Sequence, residues 1–178
     1  MGMLQGLFAP NPAKAAGRRL YDAAAAKARD PAFYLAAGAP DTPNGRFELY
    51  TLHVVLLLHR LKGEGRDASL IGQALFDTYL RALDDSLREL GVGDLSVGKK
   101  MRKLGEAFYG RAKAYDKALE AGGGEPLEAL ITRTLFDGAK TSGAGMLTAY
   151  VNRAAEALAA VPLDQFIDGD FTWPELAP

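Results

Sequence analysis

The sequence predicts an all-α fold: a single domain, residues 1–178, of about six helices bundled around a buried central helix at about residues 46–62. Three observations carry that expectation. Apolar residues recur at helical spacing through several long runs, Gly, Pro and Asp/Asn clusters separate those runs, and no segment alternates apolar and polar residues with the period of a strand. No repeat or low-complexity linker divides the chain.

The central run is Gly45 to Leu61. At about 100° per residue, Phe47, Tyr50, Val54, Leu57, Leu58 and Leu61 share one face, and Leu49, Leu52, Val55 and Leu56 fill most of the other. A helix apolar nearly all round must be covered all round. The charges at Glu48, His59 and Arg60 bracket an apolar run far shorter than the roughly 20 residues of a membrane span, so the reading is a core helix. One narrow strip stays polar and holds His53, Arg60 and Glu64.

The other elements follow in order. Asn11-Pro12 supplies an N-cap and first helical position for a helix over Ala13–Arg29, which Asp30-Pro31 ends. Phe33, Tyr34 and Leu35 form a short turn that packs inward, and residues 38–45 form a loop. Asp67 is read as the N-cap of a helix over Ala68–Leu90, whose stripe runs Leu75, Phe76, Tyr79, Leu80, Leu83, Leu87, Leu90 before a Gly91 cap. A long helix runs from about residue 95 to Ala121, with Met101, Leu104, Phe108, Ala112, Tyr115 and Leu119 on one side. Gly122–Gly124 stops it, another helix runs from Glu125-Pro126 to about Asp137, and a last one begins at Ser142 or Gly143. The aromatic ending Phe166 to Pro174 is expected to fold back with that last helix, residues 142–174, onto the bundle.

Composition narrows the function classes. With 48% hydrophobic and 24% charged residues the chain can bury a core without metal or disulfide help, and its 21 basic and 22 acidic residues nearly cancel. No global field draws it to nucleic acid. The lack of Cys removes disulfides, thiolate nucleophiles and thiolate metal sites. Residues 1–10 carry neither a basic leader nor an apolar h-region, which predicts a cytoplasmic protein.

Four constellations remain. Gly93 to Lys99 matches G-x-x-x-x-G-K, but Lys100 stands where Ser or Thr should hold magnesium, and a helix precedes it in place of a strand. His53 and His59 are six residues apart, about 120° round the helix, and cannot share an ion; His59 reads as a hydrogen-bonded core histidine and His53, on the polar strip, as a partner contact or a structural hydrogen bond. Asp77 and Asp84 share a face, with Arg81 and Arg88 each four residues on, which reads as an ion-paired surface. Lys99, Lys100, Arg102 and Lys103 crowd the first turns of their helix against its dipole. Either Asp85 and Glu89 across the hairpin offset them, or an acidic partner does. Neither a cofactor nor a metal site is expected, and a binding module leads an enzyme. The alternatives are a metal-dependent enzyme using Asp77, Asp84 and His53, and a peripheral membrane-surface module using Lys99–Lys103.

Ordered blocks carry a family resemblance: Pro40-Asp41-Thr42 and Gly45-Arg46-Phe47-Glu48, Leu52-His53 through His59-Arg60-Leu61, Phe76-Asp77 through Leu87 to Leu95, and Gly98-Lys99 to Phe108-Tyr109-Gly110-Arg111 with Tyr115-Asp116. Over about residues 31–135 the chain resembles the ubiquinol–cytochrome c chaperone family, the bacterial counterpart of the mitochondrial cytochrome b assembly chaperone. The resemblance implies an assembly factor for ubiquinol–cytochrome c reductase (respiratory complex III), with cytochrome b as client and a small partner protein and the ribosome as further contacts. It carries His53, Arg60, Asp77, Asp84, Arg88, Lys99 and Arg111 over as client-facing positions, and the basic cluster adds Lys100 and Lys103.

Overall fold

The computed structural model describes residues 11–177, and among these it holds eight helices and no strand: α1 (Pro12–Ala28), α2 (Pro31–Leu35), α3 (Pro43–Leu61), α4 (Arg66–Glu89), α5 (Asp94–Glu120), α6 (Gly124–Leu135), α7 (Ser142–Ala160) and α8 (Leu163–Asp168). Six are long, matching the expected number, and two are short. The leader expectation concerns residues 1–10, outside the described residues.

Local chemistry sets the helix starts. The Asn11 side chain accepts from the Ala13 and Lys14 amides with Pro12 behind it, and Thr42 Oγ1 accepts from Gly45 N with Pro43 behind it. Thr42 therefore opens α3 at Pro43, three residues before the expected start. The α4 cap is Gly65, at φ 95°, with Asp67 in the first turn; glycine tolerates that left-handed backbone and Asp67 lies inside the helix. Gly91, at φ 78°, ends α4 with its amide on Arg88 O while Val92 N reaches back to Leu87 O, which satisfies two terminal carbonyls.

The central helix is where the sequence put it. α3 packs against α1, α4, α5, α6 and α7, and buries Leu49, Leu52, Val54, Val55, Leu56, Leu57 and Leu61. One cluster of buried residues runs through all eight helices' neighbourhood, from Ala16 on α1 to Phe166 on α8. Phe33 of α2 is fully buried within it, whereas Leu35 points outward at 85% exposure, against the inward turn expected for that residue. The last segment does fold back: Phe171 stacks on Phe166 and meets Trp173 edge-on, the Trp173 indole N–H donates to Ala23 O, and Arg19 holds Asp168.

The apolar stripe of α4 is covered over only part of its length. Leu75, Phe76 and Tyr79 are buried, Leu80, Leu83 and Leu87 are half-buried, and Leu90 is 68% exposed. The α4–α5 hairpin thus extends beyond the elements that could cover it.

Helices α1 and α4 touch at Gly17. A Cβ there would lie 2.6 Å from Leu75 N and 2.7 Å from the Ala74 Cβ, so only glycine permits this backbone approach. Gly17→Ala is expected to destabilise by about 1–3 kcal/mol through overpacking, and to lower Tm by roughly 5 °C. Gly98→Ala, at a helical site with nothing within 4 Å, is expected to leave stability unchanged or raise it. Thermal melting of the pair by circular dichroism checks this; equal melting points would refute the close-contact account.

Candidate functional site

Helices α3, α4 and α5 leave a groove of about 470 Å³ between them. Its floor is Val55, Leu58 and Leu61 from α3, Gly72 and Phe76 from α4, and Phe108, Tyr109 and Ala112 from α5. Gly72 leaves the α4 wall without a side chain, and a Cβ there would come within 3.3 Å of Leu58. A chain of aromatic rings leads from core to solvent. Tyr79, its hydroxyl 2.7 Å from Thr51 Oγ1, lies 5.2 Å from Phe108, which lies 4.8 Å from Phe76, which lies 5.3 Å from Tyr109. Tyr79 is 1% exposed and Tyr109 64% exposed, so the series ends in an aromatic ring standing in water. Polar and charged groups line one rim: His59 Nδ1 sits 2.7 Å from Asp116 Oδ1, and Lys62 donates to Asp116 at 3.1 Å and Glu120 at 2.8 Å.

His59 is hydrogen-bonded but less buried than a core histidine, and His53 makes structural hydrogen bonds in place of a client contact. His59 is about a quarter exposed at the groove rim, paired with α5. His53 is 0% exposed and cannot face a client. Its Nδ1 is 2.7 Å from the Leu49 carbonyl, which fixes the proton there, so Nε2 accepts from the Tyr150 hydroxyl at 2.9 Å. Phe33 and Trp173 close over the ring at 5.3 and 5.1 Å, and burial pushes its pKa down to about 4. The polar strip of α3 faces α7: Arg60 donates to the Leu158 and Val161 carbonyls at 3.0 Å each, capping the end of α7.

Other expected positions are also engaged internally. Arg111 makes a bidentate pair with Glu48 at 3.0 and 2.7 Å, joining α5 to α3. Arg88 holds Asp84 at 2.7 Å and also Asp94. Asp77 accepts from Gln73 at 2.7 Å, while Arg81, its expected partner, donates to Thr78. Lys99, Lys100 and Lys103 are exposed, and with Arg102 they have no carboxylate within salt-bridge distance among the described residues. Asp85 and Glu89 do not offset them.

Asp77 and Asp84 lie on the outer side of α4 and His53 lies beneath Tyr150 and Trp173, so the three do not converge. Among the described residues no group of three or more His, Cys, Asp or Glu side chains could hold a metal ion. No helix among them is long and apolar enough to cross a membrane. The groove residues Gly72, Tyr109 and Asp116 escaped the site reading. Their signal is an aromatic residue adjacent to, but off, the α5 stripe, opposite a glycine in the middle of α4.

The fold defines an all-helical protein with an aromatic-lined groove between α3, α4 and α5, in which Arg60, Arg111 and Glu48 join helices to one another. The chain belongs to the ubiquinol–cytochrome C chaperone family, whose model matches residues 35–173. That match reaches through α7 and the aromatic tail, well past the limit at about residue 135 drawn from the motifs alone. The chain is 28% identical over 124 residues, 70% of its length, to the mouse (Mus musculus) protein named ubiquinol-cytochrome c reductase complex assembly factor 1, and covers 42% of that protein. A Drosophila melanogaster protein of the same name is 28% identical over 170 residues, 90% of this chain and 65% of its own length. Across the vertebrate relatives the chain spans only 41 to 53% of their length. The crystal structure of the Cbp3 homolog from Brucella abortus superposes with a TM-score of 0.84 at 37% identity, covering 93% of this chain and 92% of that one.

Proposed function

We propose that this protein is an assembly factor for ubiquinol–cytochrome c reductase and that its α3–α4–α5 groove holds a segment of newly made cytochrome b. The observation that carries the reading is the groove itself, an apolar cleft of about 470 Å³ ending at the 64%-exposed Tyr109 in a member of a chaperone family. An apolar helix or loop of a membrane protein needs cover until its neighbours arrive, and a groove between helices gives such cover along an i, i+3, i+4 face. The polar rim of His59, Asp116 and Lys62 gives the flanking contacts. The role is that of a holder; it calls for no catalysis, and we place it on the cytoplasmic side of the membrane.

Filling the groove tests this. In cells lacking the chromosomal gene, Gly72→Phe/Tyr109→Ser is expected to fold yet fail to restore the cytochrome b haem band of isolated membranes, while wild type restores it. A tagged pull-down in the same cells reads whether cytochrome b, a ribosome or a small partner is lost with it. A normal haem band with the filled groove would defeat the groove assignment, and a normal band in the deletion strain would defeat the assembly role.

A further inference from the structure

The α4–α5 hairpin carries a second surface that the groove does not use. Between residues 80 and 107 only Val97 is buried, and Leu87, Met101 and Leu104 lie outside the core cluster, so this end of the hairpin stands clear of the bundle. Two of the most exposed large apolar side chains of the described residues sit on either side of its turn: Leu90 at 68% and Leu95 at 101% exposure, with Val92 half-buried between them. Behind them on α5 stand Lys99, Lys100, Arg102 and Lys103, all exposed.

These cations have no partner within the described chain. Asp94, the carboxylate of the first turn, is taken by Arg88, which also holds Asp84. Asp85 and Glu89 point away from α5 on the wheel of α4. At about 100° per residue, Leu95, Lys99, Arg102, Lys103 and Lys113 fall within an arc of about 100° on α5, with Glu106 as the carboxylate among them and Lys100 about 60° beyond Lys103. Positive charge in the first turns of a helix opposes its dipole, and here no carboxylate of the described residues pairs with it.

We propose that the hairpin tip and the outer face of α5 dock on an anionic lipid bilayer, Leu90 and Leu95 entering the headgroup layer while the four cations engage lipid phosphates. The two halves of the surface fit one occupant. An acidic protein would satisfy the cations, yet it would give the wholly exposed Leu95 no apolar layer to enter. A nucleic acid would call for aromatic rings interleaved with Lys99–Lys103 for bases to stack on, and that segment has none. A basic helix face with exposed leucines is the pattern of an interfacial helix, and long lysine stems let their ammonium groups rise to the phosphates while the leucines go deeper. This surface is separate from the groove and stands whether or not cytochrome b is the client.

Sedimentation of the full chain with vesicles tests it. The protein is expected to bind mixed phosphatidylglycerol–phosphatidylcholine vesicles at low salt, to leave them as salt rises, and to ignore pure phosphatidylcholine. Each cation near an anionic surface multiplies partition by about five, so replacing Lys99, Lys100, Arg102 and Lys103 together with serine is expected to lower binding about 600-fold. Leu90→Ser/Leu95→Ser is expected to weaken it further at constant charge. All these positions are exposed, and unchanged far-UV circular dichroism and melting temperature verify the fold. No binding to the mixed vesicles at low salt, or binding untouched by the four-serine variant, would overturn the proposal. Charge-dependent capture by an acidic protein without vesicle binding would overturn it in favour of that partner, and leucine variants that bind like wild type would overturn the insertion of the tip.

Discussion

Arg111→Met is expected to lower stability by about 3 kcal/mol and Tm by roughly 10 °C, although it removes a side chain that is 30% exposed. The cause is the partner. Glu48 is 4% exposed and receives both guanidinium bonds, so deleting Arg111 strands a carboxylate in the α3–α5 interface. The neighbouring hydroxyls of Tyr79 and Tyr115 stay protonated because burial pushes their pKa values up, so they add no second negative charge beside Glu48, and as neutral groups they cannot replace the lost cation. Glu48→Leu/Arg111→Met, which removes both charges and keeps apolar volume, is expected to recover most of the loss. Chemical denaturation of the two variants decides it: a single variant within about 1 kcal/mol of wild type would show that Glu48 finds water, and a double variant as weak as the single would assign the loss to packing instead.

Acid is expected to weaken the fold through His53. Its folded-state pKa, about 4, lies below the ordinary 6.5 because burial disfavours the imidazolium. The unfolded chain therefore takes up the proton first. The stability from the neutral buried ring is fully present above pH 6.5, falls as pH drops from 6.5 towards 4, and amounts to about 3 kcal/mol over that window. Lys27, also buried and 2.9 Å from Asp30, adds to the repulsion of a second positive charge, while Asp30 opposes it. The Asp30 carboxyl is held below its usual range by Lys27, so its own contribution is lost at lower pH. His53→Gln, which keeps polar atoms near Leu49 O and Tyr150, is expected to flatten the stability curve between pH 6.5 and 4 while being less stable at neutral pH. Denaturant midpoints measured across that range would contradict the assignment if both proteins showed the same slope.

Much of the fold was legible because helices announce themselves by spacing and by their punctuation. The all-round apolar run of residues 49–57 could only be central, and Asn11-Pro12 and Gly91 marked helix ends that the structure keeps. Starts capped by residues less conspicuous than Asn or Asp shifted: Thr42 and Gly65 moved α3 and α4 outward by two or three residues. The site was less legible, for a physical reason. A helical wheel tells which residues share a face and not what covers that face. The strip of His53 and Arg60 reads as solvent-facing in sequence, yet α7 lies on it and converts both side chains into contacts with Tyr150 and the α7 terminus. Conversely, Leu80 to Leu90 reads as one continuous stripe with Leu75 to Tyr79, although the partners that bury the first part end before the last. Arg111, carried over as a client-facing position, makes a charge pair 63 positions away along the chain, a separation at which no motif could have indicated it.

The bond from the Trp173 indole to Ala23 O spans 150 residues of chain. Helix α1 is made well before Phe171 and Trp173, so this cover exists only after the residues between them have left the ribosome. During synthesis the core must wait, unsealed, for its final strap, and closing so large a loop is slow relative to the helix pairings inside it. A ribosome stalled before residue 173 should therefore carry a nascent chain rich in helix but readily cut by protease, and emergence of residues 171–173 should convert it to the resistant form in one step.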